Sequence, residues 1–160
     1  MTKTKAQQIM AATEARAADD VTAAIQDIAT EFEPYIIKQR RHFHKHPELS
    51  LAEERTTSDI ANQLDAMNIP YERPLKTGLV ATLRGTAPDA YREDGTPRRR
   101  ILLRADIDAL PVTEQTGEEF ASVNEGCMHA CGHDCHIAMM LGTLQILRHM
   151  TDDIHGEVRI

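Results

Sequence analysis

One short stretch of the chain holds the side chains best suited to chemistry. From Met128 to His136 the sequence MHACGHDCH places two cysteines and three histidines within nine residues. Only Gly132 separates Cys131 from His133, and its backbone freedom lets a thiolate and an imidazole turn toward one ion. A helix starting just after this stretch would point unpaired N–H groups at the loop and favour the thiolate of Cys131. The pattern predicts that Cys131 and His133 bind a metal ion.

Other uses of these residue types remain open. A structural zinc site of Cys127, His129, Cys131 and His133 has suitable ligands but lacks the usual two separated pairs. The four-residue spacing of the cysteines matches no common iron–sulfur pattern. A Cys–His nucleophile remains possible, although its partners usually come from separate parts of a chain. We expect packing or surface roles, without metal binding, for the other cysteines and four histidines: Cys127, Cys135, His42, His46, His129 and His136.

Two acidic residues follow a short apolar run and are candidates for the same site. Asp106 and Asp108 come directly after the sequence ILLRA. Ligands of an open α/β sheet bind outside the carboxyl ends of its strands, where these carboxylates would lie. Acidic side chains near a metal either bind it directly or orient the ring N–H of a ligand histidine.

The residues before the first proline read as helix. Apolar side chains recur there every three or four residues, which predicts one or two helices between Lys5 and Glu33: Val21, Ile25, Ile28 and Phe32. Because proline fits poorly inside a helix, Pro34 is expected to open a new one, from Tyr35 to about His46. That helix should stop before Pro47.

The rest of the chain alternates between helix and strand patterns. Ser50 and Glu53 have capping-box spacing, and the helix they begin should reach about Asn68. Two strands, a helix and a further strand are then predicted in this order: Gly78–Gly85, Ile101–Asp108, about Cys135–Met150 and Gly156–Ile160.

Composition excludes several classes of protein. The 160 residues suffice for one domain, and the net charge of −7 argues against nucleic acid or an anionic membrane as the main partner. No segment approaches the roughly 18 apolar residues of a membrane span, and no signal peptide is evident, so we expect a cytoplasmic protein. In that compartment the three cysteines are expected to be free.

Four motifs occur in this order along the chain: RRHFHKHPELSLAEERT, TGLVATLRG, LLRADIDALPVTEQTG and MHACGHDCHIAMMLG. Together they resemble the M20 metallopeptidase family, specifically its amidohydrolase branch, which includes hippurate hydrolases, N-acyl-amino-acid amidohydrolases and indole-acetyl-amino-acid hydrolases. The resemblance covers residues 35–160 and leaves residues 1–34 as a helical N-terminal extension. It implies an α/β fold: the N-terminal part of a three-layer catalytic domain, with a central mixed sheet flanked by helices. The lid and dimerisation domain of the family is expected to be absent from this chain.

The resemblance also implies a function and a site. Members hydrolyse the amide bond of N-acyl amino acids with metal-activated water and use two divalent ions, commonly zinc, manganese, cobalt or nickel. By motif, Cys131 and His133 are metal ligands, while Asp106 and Asp108 support them without binding metal. The general-base glutamate is expected beyond residue 160, so this chain carries only part of the site and should be inactive alone. A full-length relative would be a homodimer, and the alternative is a truncated module that binds metal or a partner without catalysis.

Overall fold

A mixed sheet with packed helices forms the regular structure of the chain. The computed structural model describes residues 5–160, with side chains from residue 19 onward. Its helices and strands, in chain order, are α1 (Lys5–Lys45), α2 (Glu54–Met67), β1 (Tyr71–Glu72), β2 (Val80–Arg84), β3 (Arg100–Leu102), α3 (His133–Arg148) and β4 (Glu157–Arg159). Within that range no helix has both the length and the apolar character that a membrane crossing requires.

Helix α1 continues through Pro34, so the expectation that a new helix begins there is wrong. Pro34 lies on an exposed face, where water can satisfy the carbonyl that its missing N–H leaves unpaired. Packing on α3 also holds the helix on both sides of the proline. The Phe32 ring lies 5.5 Å from the His149 ring, and Ile36 packs against Gly142. The predicted stop before Pro47 is confirmed. Residues 1–4 of the predicted extension lie outside the described residues.

The start of α2 differs from the predicted capping box. The helix begins at Glu54, and neither Ser50 nor Glu53 caps it with a side chain. Instead, the carboxylate of Glu48 accepts hydrogen bonds from the backbone N–H groups of Arg55, at 3.1 Å, and Thr56, at 2.7 Å. An acidic side chain six residues before the helix therefore performs the expected task, because a turn between them brings the carboxylate back to the helix N-terminus.

The other end of α2 agrees with the prediction. The helix ends at Met67, and Asn68 adopts the left-handed conformation with φ of 56°. Asparagine tolerates this conformation better than most residues, and it commonly stops helices in this way.

The four strands form one sheet in the order β1-β2-β4-β3. β2 pairs antiparallel with both β1 and β4, whereas β3 pairs parallel with β4. The predicted α/β class and mixed sheet are confirmed. The strand predicted from Ile101 to Asp108 is shorter in the structure, where Arg100 to Leu102 pair with β4. Beyond Leu102 the chain makes one more bond, from Leu103 N to Arg159 O at 2.8 Å, and then continues as a loop that carries Asp106 and Asp108.

The core lies between the helices and the sheet and fixes α3 in place. Its buried apolar side chains come from α1, α2, β2 and α3 and include Phe43, Leu64, Leu83, Ile137 and Leu144. Because Ile137 is 2% exposed and lies in the second turn of α3, the start of that helix is anchored to the core. The chemistry-bearing stretch therefore sits on a rigid support.

Candidate metal centre

The first turn of α3 brings two histidines together. The helix begins at His133, two residues earlier than predicted, because Gly132 adopts a left-handed conformation with φ of 92° and its carbonyl accepts hydrogen bonds from Cys135 and His136. Residues three apart on a helix lie on the same face. The rings of His133 and His136 accordingly stack with their centroids 5.2 Å apart.

Asp106 faces these two rings from the loop after β3. One carboxylate oxygen of Asp106 and one ring nitrogen from each of His133 and His136 all lie within 4.8 Å of one another. Within the described part of the chain, no second set of three potential ligands converges in this way. One carboxylate and two imidazoles suit zinc, manganese, cobalt or nickel. These three donor types fit a divalent metal ion.

Asp108 contacts the ring of His133 at Nδ1. Its carboxylate oxygen Oδ1 and its backbone oxygen each lie 3.0 Å from His133 Nδ1. A proton on Nδ1 then points to Asp108, and the lone pair of Nε2 is left free to bind a metal ion. This is the geometry of the predicted supporting role of Asp108. For Asp106 the same prediction remains open, and its position among the donor atoms favours direct binding.

Cys131 lies outside the group that His133 joins. Its side chain is exposed, and it lines a neighbouring cavity of about 410 Å³ together with Arg40, Glu114 and Asp134. The structure thus brings His133 to Asp106, but it does not place the Cys131 thiol among the same donors. The ligand role of Cys131 stays a prediction.

The other two cysteines are less exposed than Cys131, and the packing role expected for them stays a prediction. All three are free, Cys127 is buried and Cys135 is half-buried. Burial raises the pKa of the Cys127 thiol, which keeps that group protonated and unreactive at neutral pH.

His129 is an unusual neighbour of the metal centre. It is 4% exposed, and neither ring nitrogen has a hydrogen-bond partner. Burial lowers the pKa of its imidazole, with a smaller opposing effect from Asp134, so the ring is neutral at physiological pH. His42 and His46 form a separate pair on α1 and after it, with ring centroids 5.2 Å apart, and His42 Nε2 lies 2.8 Å from Asp59. The surface or packing role expected for both remains a prediction.

Sequence reasoning missed His136 as a member of the site. The available signal was the spacing of three residues between His133 and His136, which places two rings on one helix face. Starting the helix at Cys135 concealed this signal, because His133 then fell outside the helix.

Comparison with known proteins gives a consistent family. Residues 102–160 match the model of peptidase family M20/M25/M40. An N-acyl-L-amino acid amidohydrolase of Geobacillus stearothermophilus is 43% identical over 136 residues, which are 84% of this chain and 34% of that protein. An N-acetylcysteine deacetylase of Bacillus subtilis is 43% identical over 133 residues, 80% of this chain and 32% of that protein. The chain thus spans about a third of the length of these relatives.

A solved structure supports the same assignment. The Bacillus subtilis YXEP protein, described as a dinuclear metal binding peptidase from the M20 family, superposes with a TM-score of 0.72 at 42% identity. The superposition covers 81% of this chain and 35% of that one. The fold is therefore that of part of a metallopeptidase catalytic domain. The chain belongs to the M20 peptidase family, and the resemblance inferred from the four motifs is confirmed.

Proposed function

We propose that the protein is a metal-dependent amidohydrolase that cleaves the amide bond of N-acyl amino acids. The observation that carries the proposal is the convergence of Asp106, His133 and His136 at the start of α3. Two relatives named for hydrolysis of acylated amino acids support the substrate class. As the family resemblance implies, we expect the whole protein to bind two divalent ions from among zinc, manganese, cobalt and nickel. We also expect it to be a homodimer.

In this proposal the residues of the chain bind the metal ion and orient its ligands. His133 presents Nε2 because Asp108 holds Nδ1, and Asp106 adds negative charge that offsets the charge of a bound cation. A bound divalent ion supplies Lewis acidity toward the amide carbonyl and lowers the pKa of water to about 7. Cys131 is proposed as a further ligand, and its exposed position beside Asp134 leaves it accessible to an ion.

Proton transfer needs a general base, and we propose that this base lies outside residues 1–160. A general base must reach the attacking water, and the resemblance assigns that role to a glutamate beyond residue 160. We therefore propose that the 160 residues bind metal but do not hydrolyse substrate alone.

Calorimetric titration with Co²⁺ or Zn²⁺ tests the metal site directly. We expect His133→Ala and His136→Ala to weaken binding by more than the 10- to 100-fold typical of losing a supporting partner. His155→Ala is the matched control, since His155 is exposed and pairs with Asp89 away from the site. Equal affinity in all three variants and the unaltered chain would refute the site.

An activity assay tests the remaining part of the proposal. The chain is incubated with N-acetyl amino acids and Mn²⁺, and release of free amino acid is measured. We expect no turnover from residues 1–160 and turnover from a version extended with the continuation of the gene. Metal binding without hydrolysis by the extended protein would instead support a non-catalytic binding module.

A further inference from the structure

A buried ionic cluster lies beside the metal centre, and none of its members belongs to the donor group. His44 on α1 is at its centre, with a side chain that is 5% exposed. His44 Nδ1 lies 2.7 Å from Asp134 Oδ2, and His44 Nε2 lies 3.1 Å from Glu114 Oε1. The carboxylates of Asp134 and Glu114 are 1% and 4% exposed. Each ring nitrogen of His44 therefore faces a carboxylate oxygen at hydrogen-bonding distance.

The surroundings of the cluster balance its charge and hold it together. Arg40, one turn before His44 on α1, places Nε 2.9 Å from Asp134 Oδ2 and stacks over the Phe120 ring at 4.9 Å. Burial raises the pKa of Glu114, but hydrogen bonds from the Ser122 backbone and other donors outweigh it and lower that pKa to about 2. Glu114 is therefore a carboxylate at neutral pH. Buried ionic groups of this kind are stable only while every partner remains in place.

The cluster joins three segments of the chain that are distant in sequence. His44 lies on α1, Glu114 on the long loop after β3, and Asp134 on the first turn of α3. Asp134 follows His133 directly, so whatever fixes the Asp134 side chain also fixes the backbone that presents His133 and Cys131. Gly132, with its left-handed backbone, leaves this turn without a side chain that caps the helix. The contact between His44 and Asp134 links this turn to α1.

We propose that His44 is a positioning residue for the metal centre: its Nδ1–H holds Asp134 and thereby sets the orientation of the turn from Cys131 to His136. His44 does not touch the donor atoms, and its effect passes through Asp134. The functional consequence rests on the proposed metal site, whereas the positioning of the turn does not require a metal.

Two substitutions of His44 separate its two hydrogen bonds. In His44→Asn the side-chain amide occupies the place of Nδ1 and still donates to Asp134. In His44→Gln the amide reaches the place of Nε2 and donates to Glu114 instead. Both variants replace the ring with a neutral amide, so each serves as the matched control for the other. Any general loss of stability from an altered buried cluster should affect the two alike.

The first readout is amide hydrogen exchange of residues 131–136 in the presence of a chelator. We expect exchange in His44→Gln to be faster by about 10-fold or more, the effect of losing a hydrogen bond to a charged group. His44→Asn should stay within about 3-fold of the unaltered chain, because the hydrogen bond to Asp134 that restrains the turn is retained. Equal exchange in both variants, or a rise spread evenly over α1 and α3 in both, would overturn the proposal.

The second readout is Co²⁺ affinity, together with the visible spectrum of the bound ion. His44→Gln should bind about 10- to 100-fold more weakly with a changed spectrum, while His44→Asn stays close to the unaltered chain. Unchanged affinity and spectrum in His44→Gln would contradict the inference. If the unaltered chain itself binds no Co²⁺, the proposed function fails, and the exchange experiment still decides whether His44 positions the turn.

Discussion

Glu48 provides the sharpest test of how the structure is held together, since it caps α2 in place of the residues that the sequence pattern favours. Its carboxylate accepts three hydrogen bonds, from the backbone N–H groups of Arg55 and Thr56 and from the Thr56 hydroxyl at 2.8 Å. Thr56 is 2% exposed, so water cannot replace the lost partner fully. Removing a helix cap costs about 0.5–2 kcal/mol, and hydrogen bonds to a charged group contribute about 1.5–3 kcal/mol.

These hydrogen bonds are themselves the cap, so we expect Glu48→Ala to lower the free energy of unfolding by about 1.5–3 kcal/mol. At roughly 2–4 °C per kcal/mol for a domain of this size, Tm should fall by about 3–12 °C. Urea denaturation followed by circular dichroism measures the change. Glu48→Gln, which keeps one acceptor oxygen, should lose less than Glu48→Ala.

Ser50→Ala is the control that distinguishes the structure from the sequence pattern. Within the described residues Ser50 makes no side-chain cap to α2, so its loss should change stability by less than about 0.5 kcal/mol. A loss in Ser50→Ala equal to that in Glu48→Ala would show that the capping box forms after all, and the assignment of Glu48 would be refuted.

Three further predictions concern the site. Asp108→Ala should weaken Co²⁺ binding by about 10-fold, the lower end of the usual range, because the backbone oxygen of residue 108 still accepts a hydrogen bond from His133 Nδ1. Calorimetry measures the affinity, and an unchanged affinity would contradict the supporting role of Asp108. Glu114 has a pKa of about 2 against 4.5 for the unperturbed group, so its contribution to stability is present above about pH 4.5 and is lost as the pH falls toward 2. Glu114→Gln should therefore reduce the change in the free energy of unfolding with pH over that range. A maleimide should label exposed Cys131 well before buried Cys127, and protection of Cys131 by Zn²⁺ would support its ligand role, whereas labelling unaffected by saturating Zn²⁺ would count against it.

The fold class could be predicted from the sequence because apolar periodicity and turn residues mark each element. The ends of elements depended on contacts that periodicity does not encode. The strand that begins at Arg100 pairs with β4 as far as Leu102, and this partner lies more than fifty residues later in the chain. Pro34 lies inside α1 because Phe32 and Ile36 pack on α3, and this tertiary support outweighs a local preference.

The site could be predicted from the sequence only in part, because its geometry also depends on contacts that the sequence pattern does not encode. Cys131 and His133 attract attention as a close pair, yet closeness along the chain does not make side chains point to one place. The conformation of Gly132 starts the helix at His133 and sends that ring toward His136 and Asp106, leaving Cys131 on a neighbouring cavity wall. The choice of left-handed backbone at a glycine is a local detail with a large effect on which donors meet.

The order of strands has a consequence for biosynthesis. β4 lies between β2 and β3 in the sheet, yet it follows both of them in the chain. A ribosome therefore releases β2 and β3 before the strand that joins them exists, and two unpaired edges must wait while α3 is made. Exposed strand edges are sites of aggregation in nascent chains. The time between the synthesis of β3 and the pairing of β4 should therefore affect the soluble yield of the protein.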